Sequence, residues 1–247
     1  MSGLKTIGII PARIASTRLA RKMLLERTGQ PLIIHTASQA AKSTMLDDLI
    51  IATDSREIQK VVVDAGFSAV MTSADHQSGT DRVAEAAKET DADYIVNIQG
   101  DMPKIPPQCI NDLVMGIQES GAEMATLGCM FEREEDFRDT NTAKIILNNE
   151  QDAVYFSRAP IPFPRDNTFA EIQKHIVKHI GIYAFQRSFL LEFSRLAPGT
   201  LEQIEKLEQL RAIENGRRIR VVRTSAYVKE VENEQDYDEF VAAGNVN

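Results

Sequence analysis

Basic residues gather in a loop near the start of the chain, directly after a short apolar run. The segment IIPARIASTRLARKML carries Arg13, Arg18 and Lys22 among small residues. Guanidinium forks, an ammonium group and backbone N–H groups in such a loop can together bind a triphosphate. The chain has neither the Walker pattern G-x-x-x-x-G-K-S/T nor the dinucleotide fingerprint G-x-G-x-x-G. The sequence therefore favours an anion-binding loop of another kind, with a solvated basic loop as the alternative.

A second group that could take part in chemistry is the carboxylate of Asp101 in the segment VNIQGDMP. It follows an apolar run and a turn at Gly100. Mg²⁺ prefers one or two carboxylates together with water and substrate phosphates, so an aspartate near a phosphate-binding loop is suited to hold it. An aspartate in a turn on its own is more often a turn former. The pairing of Asp101 with the basic loop is what favours a metal site.

Alternating strands and helices must position these residues. β-branched runs predict strands at Thr6–Ile10, Asp48–Ala52 and Tyr94–Ile98, and amphipathic stretches predict helices at Pro31–Ala41, Ser55–Ala65 and Thr80–Thr90. Ser55 and Thr80 are the predicted helix N-caps. The three strands end in the polar loops PARIASTR, ATDS and IQGDMP. Since ligands bind at the carboxyl ends of strands in open α/β sheets, we expect these loops to converge on one site.

The second half of the chain is less regular. Further strands are predicted at Ala143–Leu147, Val177–Phe185 and Ile219–Arg223. Helices are predicted at Gln186–Leu196, at Leu201–Asn215 with Gly216 as C-cap, and from about Glu234. The segment SRAPIPFPRD between them predicts a loop, because its prolines remove backbone donors. No internal repeat or linker is present, so a single mixed domain over residues 1–247 is expected.

Composition excludes some classes of protein. The net charge of -8 argues against a general nucleic-acid binder, which needs a basic surface. The chain has no run of about 18 or more apolar residues and no targeting segment at its start, so we expect a cytoplasmic protein without a membrane partner. Cys109 and Cys129 have no CxxC partners and are predicted to be buried thiols in a reducing compartment.

Seven ordered segments resemble the cytidylyltransferases that activate 3-deoxy-manno-octulosonate (Kdo) for lipopolysaccharide biosynthesis: PARIASTRL, IATDS, DHQSGTDR, NIQGD, YFSR, KHIGIY and LEQLR. The match runs from about Ile7 to Val231. It implies an α/β fold of the nucleotide-diphospho-sugar transferase type, with a Rossmann-like mixed sheet flanked by helices. It also implies an Mg²⁺-dependent homodimer that transfers CMP from CTP to an acidic eight-carbon sugar. CTP would bind to the amino-terminal half, and the carboxyl-terminal half would bind sugar and dimerise.

The resemblance implies roles for individual residues. Those implied at CTP are Ala12, Arg13, Arg18, Lys22, Asp54, Ser78, Arg82 and Gln99. Those implied at the sugar are Arg158, His179, Tyr183, Glu208, Gln209 and Arg211. The implied metal ligands are Asp101 and Glu232, and the residues expected to act in catalysis are Arg13, Arg18, Lys22 and Asp101. The alternatives are structural: Tyr183 as a core aromatic, Arg158 and His179 as ordinary hydrogen-bonded residues, and Glu208 paired with Arg211 along a helix.

Two departures from the family pattern lie among these residues. The family usually reads Leu-Pro-Gly-Lys-Pro-Leu where this chain has LARKML, and it has Asp where this chain has Glu232. These changes leave open a catalytically weakened paralogue that still binds the nucleotide or the sugar. The same chemistry on 8-amino-Kdo is a further alternative, and a nine-carbon sialic acid fits KHIGIY and LEQLR less well. Turnover separates an active enzyme from the paralogue.

Overall fold

The computed structural model describes residues 3–15, 19–226 and 228–243. Its strands are β1 (Thr6–Ala12), β2 (Asp48–Thr53), β3 (Ser68–Met71), β4 (Tyr94–Asn97), β5 (Met124–Cys129), β6 (Lys144–Leu147), β7 (Ala153–Ser157), β8 (Val177–Gln186) and β9 (Ile219–Arg223). Its helices are α1 (Leu32–Ala40), α2 (Arg56–Asp64), α3 (Gly79–Lys88), α4 (Pro107–Ser120), α5 (Glu134–Arg138), α6 (Phe169–Ile172), α7 (Arg187–Phe193), α8 (Thr200–Glu205), α9 (Leu210–Glu214) and α10 (Glu234–Ala243). A short 3-10 turn covers Lys22–Leu24.

The chain divides into two compact units. The first comprises residues 1–111 and 228–247, and the second comprises residues 112–227. The first unit therefore joins the amino-terminal part of the chain to its last helix, α10. That the whole chain acts as a single domain with CTP-binding and sugar-binding halves stays a prediction.

The first unit is built on a parallel sheet with the strand order β3-β2-β1-β4. Ile9 of β1 lies opposite Ile50 on one side and Asn97 on the other. Nearly all of β1 is buried, as expected for a parallel strand covered on both faces, and such strands read as continuous apolar runs. This is why the sequence predicted β1, β2 and β4 close to their observed bounds. The edge strand β3 is only partly buried and was missed.

Polar caps fix the starts of α2 and α3. Ser55 caps α2 as predicted, with its hydroxyl accepting the Ile58 N–H. The predicted cap Thr80 is wrong, because Ser78 caps α3. The Ser78 hydroxyl accepts the Asp81 N–H at 3.0 Å, and the Asp81 carboxylate accepts the Ser78 N–H at 3.3 Å. A capping box needs an acceptor side chain three residues after the N-cap, and Asp81 stands at that position relative to Ser78.

Helix α10 packs against the start of the first unit. Tyr237 and Phe240 are buried in a cluster with Leu19, Leu32 and Val231. The Tyr237 hydroxyl accepts the backbone N–H of Arg27 at 2.8 Å, which satisfies the polar end of a buried aromatic ring. The cluster therefore fixes the chain on both sides of the Lys22 turn and on both sides of Glu232.

The second unit is built around β5, which pairs antiparallel with β8 and parallel with β9. The hairpin of β6 and β7 joins β8 through β6. This mixed sheet and the parallel sheet of the first unit, with their flanking helices, confirm the predicted α/β class. Phe131, Phe137 and Ile176 form a buried cluster beside it. Of the segment SRAPIPFPRD predicted as a loop, Ser157 is the last residue of β7 and residues 158–166 contain no helix or strand.

Three predictions for the second half need correction. The helix predicted at Leu201–Asn215 is two helices, α8 and α9, because Lys206 adopts a left-handed conformation with φ of 55°. Gly216 was predicted as the C-cap, but Asn215 is the C-cap of α9, and Gly216 follows it with φ of 67°. Cys109 is buried as predicted, whereas Cys129 is only half-buried.

Among the helices in the described ranges, none is both long and apolar enough to span a membrane.

Candidate active site

A pocket opens at the carboxyl ends of the parallel strands in the first unit. Seven residues that the sequence implied for CTP or metal binding line it: Ala12, Arg13, Lys22, Ser78, Arg82, Gln99 and Asp101. They come from the loops after β1 and β4 and from the first turns of α3. The loop after β2 reaches the same place indirectly, because Asp54 accepts the Ile14 N–H at 3.2 Å. Two of the three loops predicted to converge therefore line the pocket, and the third contacts one of them. Arg18 lies outside the described residues.

Lys22 and Asp101 are in direct contact in this pocket. The Lys22 ammonium nitrogen lies 2.5 Å from Asp101 Oδ2, and the two side chains are only 13% and 21% exposed. The loops approach closely because residue 100 is a glycine. A Cβ there would lie 2.9 Å from the Met23 sulfur and 3.2 Å from the Pro11 carbonyl oxygen. The cation predicted to bind phosphate and the carboxylate predicted to bind a metal ion are therefore held side by side.

The turn that carries Lys22 starts at an unusual backbone conformation. Arg21, which stands where the family usually has glycine, adopts φ of 52° and ψ of 33°. Left-handed backbone costs a non-glycine residue about 1–2 kcal/mol. The Arg21 guanidinium pairs with Glu57 at the start of α2. The glycine-like turn is thus kept without the glycine, and Lys22 still reaches Asp101.

Asp54 and Arg82 form a buried pair beside the pocket. Arg82 Nη2 donates to Asp54 Oδ2 at 2.8 Å, and Arg82 also donates to Thr72 Oγ1 at 2.5 Å and to the Ser73 carbonyl at 3.2 Å. Asp54 does not itself line the pocket. Its carboxylate is shared between Arg82 and the backbone of Ile14, so the contacts observed for Asp54 hold the neighbouring loops in place.

Asp101 and the segment of Glu232 are neighbours through the backbone. The Val231 N–H donates to the Asp101 carbonyl at 2.9 Å. The Glu232 N–H donates to Asp236 Oδ2 at 3.1 Å, so the segment also forms the start of α10. Within the described ranges, no three His, Cys, Asp or Glu side chains are grouped to hold a metal. Mg²⁺ does not need such a group, since it binds one or two carboxylates with substrate phosphates and water. The carboxylates of Asp101 and Glu232 are ligands of the type that this ion binds, although only Asp101 lines the pocket.

In the second unit, three of the residues implied at the sugar form a connected set. His179 Nε2 lies 3.0 Å from Thr126 Oγ1, the His179 and Tyr183 rings are 5.5 Å apart, and the Tyr183 hydroxyl donates to Gln209 Oε1 at 3.1 Å. Burial lowers the pKa of His179 to about 3, so its imidazole is neutral at physiological pH.

Gln209 has an unused donor in this set. Its side chain is 3% exposed, and among the described residues its Nε2 has no hydrogen-bond partner. An unsatisfied buried donor costs about 1–3 kcal/mol, so such groups in native proteins need an explanation. A hydroxyl or carbonyl oxygen of a ligand would satisfy the Gln209 amide.

The two arginines implied at the sugar have partners within the second unit. The Arg158 guanidinium donates to the carbonyls of Glu205 and Lys206 at 2.7 and 3.2 Å, and to those of Thr140 and Asn141 at 3.1 and 3.2 Å.

Arg211 makes a bidentate pair with Glu202 at 2.6 and 2.8 Å, while Glu208 lies 3.9 Å away. Both arginines hold turns of the chain together. Sugar binding by Arg158, Glu208 and Arg211 stays a prediction.

The sequence reasoning missed one polar residue of this pocket. His76 lines the pocket beside Ser78 and Arg82. It belongs to the segment DHQSGTDR, from which only Ser78 and Arg82 were singled out. A histidine within a segment that already supplies two site residues was the available signal.

Comparisons with known proteins agree with this geometry. A family model described as cytidylyltransferase matches residues 7–219. A protein of Syntrophobacter fumaroxidans named 3-deoxy-manno-octulosonate cytidylyltransferase is 45% identical over 242 residues, covering 96% of each chain. One of the same name from Trichlorobacter lovleyi is 44% identical over 229 residues, covering 90% of this chain and 91% of the other.

Solved structures show the same fold. A structure described as CMP:2-keto-3-deoxy-manno-octonic acid synthetase complexed with CTP has a TM-score of 0.91 and 35% identity, covering 97% of this chain and 98% of that one. A cytidylyltransferase from Leptospira borgpetersenii serovar Hardjo-bovis has a TM-score of 0.64 at 17% identity, covering 97% and 86%, which shows the fold alone. The fold of the nucleotide-diphospho-sugar transferases is therefore confirmed, and the chain belongs to the 3-deoxy-manno-octulosonate cytidylyltransferase family of nucleotidyltransferases.

Proposed function

We propose that this protein transfers CMP from CTP to Kdo, releasing pyrophosphate, as a step of lipopolysaccharide biosynthesis. The observation that carries the proposal is the contact of Lys22 with Asp101 in a pocket that Arg13 also lines. Relatives that are more than 40% identical over nearly the whole chain carry the name of this activity, which supports it. The departures on either side of Lys22 do not favour a weakened paralogue, because Lys22 keeps its place beside Asp101.

In this reaction the anomeric hydroxyl of the sugar attacks the α-phosphorus of CTP, and pyrophosphate leaves. No covalent intermediate with the protein is needed, so positioning and charge neutralisation are the tasks of the chain. Arg13 and Lys22 bind phosphate oxygens and stabilise the charge that builds on them. Gly100 lets the loop of Asp101 lie against that of Lys22, and the Asp54–Arg82 pair fixes the loops around the nucleoside.

Mg²⁺ belongs to the proposal as the cation that Asp101 and Glu232 would hold. When bound, it would neutralise phosphate charge and favour loss of the proton from the attacking hydroxyl. Asp101 is held by the close packing around Gly100. The backbone bond from Val231 to Asp101 keeps the residue next to Glu232 in place.

The second unit supplies the sugar contacts in this proposal. Kdo presents one carboxylate and several hydroxyls, which suit amide, imidazole and hydroxyl partners. The neutral His179, the Tyr183 hydroxyl and the spare Gln209 donor match that chemistry. A homodimer and a location in the cytoplasm are further parts of the proposal, and both rest on the sequence resemblance and composition.

Product analysis tests the proposal. The protein is incubated with CTP, Mg²⁺ and Kdo, and ³¹P NMR follows the appearance of a phosphodiester and of pyrophosphate. Parallel reactions contain 8-amino-Kdo or a sialic acid, and Asp101→Asn is the matched variant. A CMP–Kdo diester formed by the native protein and not by the variant is the expected result. Absence of any diester with all three sugars would refute the proposal.

A further inference from the structure

One imidazole in the CTP pocket has no part in the roles described so far. His76 lines the same pocket as Arg13 and Lys22, and its side chain is partly buried. Its Nε2 is hydrogen-bonded to the carboxylate of Glu85, which lies on α3. A pocket-lining ring held by a fixed carboxylate is the usual arrangement by which proteins set the orientation and tautomer of a histidine.

Glu85 can fix that tautomer because it acts only as an acceptor. Its Oε2 also accepts the backbone N–H of Ser73 at 3.0 Å. Although partial burial on its own raises the pKa of Glu85, the hydrogen bonds from Ser73 and His76 outweigh it and hold the pKa below its ordinary value. An ionised carboxylate has no proton to donate, so the hydrogen in this contact is on Nε2 of His76.

The other ring nitrogen is then available to the pocket. Arg13, Lys22 and Arg82 line the same pocket with hydrogen-bond donors, whereas Glu85 lies on the Nε2 side of the ring. A neutral imidazole with hydrogen on Nε2 has an acceptor at Nδ1. His76 therefore offers this pocket a hydrogen-bond acceptor among donors.

The position of the segment indicates which part of the nucleotide it meets. His76 lies between β3 and α3, and β3 is the edge strand opposite β4 in the order β3-β2-β1-β4. Asp101 follows β4, three strands away, and neighbouring strands are about 4.8 Å apart. When the α-phosphate lies beside Asp101 and the nucleotide extends across the ends of the strands, its base lies toward β3.

The segment is also held firmly. Arg82 Nη1 bonds Thr72 and Ser73, while Glu85, three residues along α3, bonds Ser73 and His76. Two charged side chains of one helix thus fix the backbone before His76 and the ring itself. Such rigidity is what a specificity contact needs.

We propose that His76, oriented by Glu85, reads the exocyclic position of the pyrimidine base and selects cytosine over uracil. Cytosine presents an amino donor there, and uracil presents a carbonyl acceptor. An acceptor on His76 bonds the first and opposes the second, so selection has both an attractive and a repulsive part. The inference rests on the proposed function only in that the pocket binds CTP.

The test measures nucleotide binding without sugar, by calorimetry with CTP and with UTP. The native protein prefers CTP. In His76→Ala the affinity for CTP falls roughly 10- to 100-fold while that for UTP rises or stays the same, as expected for loss of one contact that attracts cytosine and opposes uracil. Glu85→Gln, which keeps an acceptor for Nε2, retains most of the preference. Glu85→Leu, which frees the tautomer, loses much of it.

Other outcomes overturn the inference. A native protein that binds CTP and UTP equally, a His76→Ala variant with an unchanged ratio, or equal losses for both nucleotides each exclude a base-reading role. If His76→Ala melts at a much lower temperature than the native protein, His76→Asn replaces it in the test. The asparagine amide keeps a hydrogen-bond acceptor, so this variant retains part of the preference for CTP. Equal affinities of His76→Asn for CTP and UTP also refute the inference. Failure of the proposed function is seen separately, as CTP-selective binding without any diester product.

Discussion

The contact between Lys22 and Asp101 predicts an unusual consequence of removing the lysine. Lys22→Met deletes an ammonium that lies 2.5 Å from Asp101 Oδ2 and leaves a side chain of similar length. Without nucleotide, a divalent cation that binds Asp101 must displace this ammonium. We therefore expect Lys22→Met to bind a divalent cation alone more tightly than the native protein, although it is a poorer enzyme.

The size of the effect follows from the burial of the pair. Hydrogen bonds to charged groups contribute about 1.5–3 kcal/mol, and fully exposed ion pairs contribute about 0–1 kcal/mol. With Lys22 13% and Asp101 21% exposed, this pair lies near the lower end of the first range, at about 1.5 kcal/mol. That free energy corresponds to about a tenfold gain in affinity for the cation.

Titration with Mn²⁺, followed by the EPR signal of the free ion, measures this affinity directly. Lys60→Met is the matched control, because Lys60 pairs with Asp64 on the exposed face of α2. The control should bind Mn²⁺ as the native protein does, and Asp101→Asn combined with Lys22→Met should lose the gain. Equal Mn²⁺ affinities for the native protein and Lys22→Met would refute the reasoning. In the same variant, kcat should fall by a factor that corresponds to about 2 kcal/mol or more.

Three further predictions concern the other site residues. Glu232→Gln should abolish Mg²⁺-dependent turnover while Glu232→Asp retains it, and Asp101→Asn should fail in the same way; full activity in Glu232→Gln would exclude Glu232 as a ligand. Gln209→Leu should raise the KM for the sugar and leave that for CTP unchanged; a rise in both KM values would contradict this. For His179, whose folded pKa of about 3 lies below the ordinary 6.5, stability is fully present above pH 6.5 and is lost as the pH falls toward 3. Denaturant unfolding of His179→Asn should therefore depend less on pH in that window, and identical profiles would refute the assignment.

The first unit could be predicted well because its signals are local. The apolar runs of β1, β2 and β4 are sheet strands covered on both faces, and each is followed by a polar loop. From this pattern alone, Asp101 and Lys22 were expected at one edge of the sheet. The contact between them depends on the close approach at Gly100, which the sequence indicated only as a turn.

The features that the sequence did not reveal depend on backbone conformation and on contacts that leave no pattern in the sequence. The helix expected at Leu201–Asn215 ends early at Lys206, whose left-handed conformation leaves no mark in the apolar pattern. For Arg211 the alternative to sugar binding was a pair with Glu208, which lies 3.9 Å away, but its bidentate partner is Glu202, nine residues away. Arg158 binds backbone carbonyls, which no side-chain pattern reveals. The resemblance named these residues without indicating which of them the fold already uses.

Pyrophosphate release in the presence of Mg²⁺ tests the central claim most directly. The assay compares CTP, UTP and ATP, each with Kdo, with 8-amino-Kdo and without sugar. The account predicts release that needs both CTP and an eight-carbon ulosonic acid, that is far slower with UTP or ATP, and that is lost in Asp101→Asn. Release that does not depend on the sugar, or that is equally fast with UTP, would contradict it.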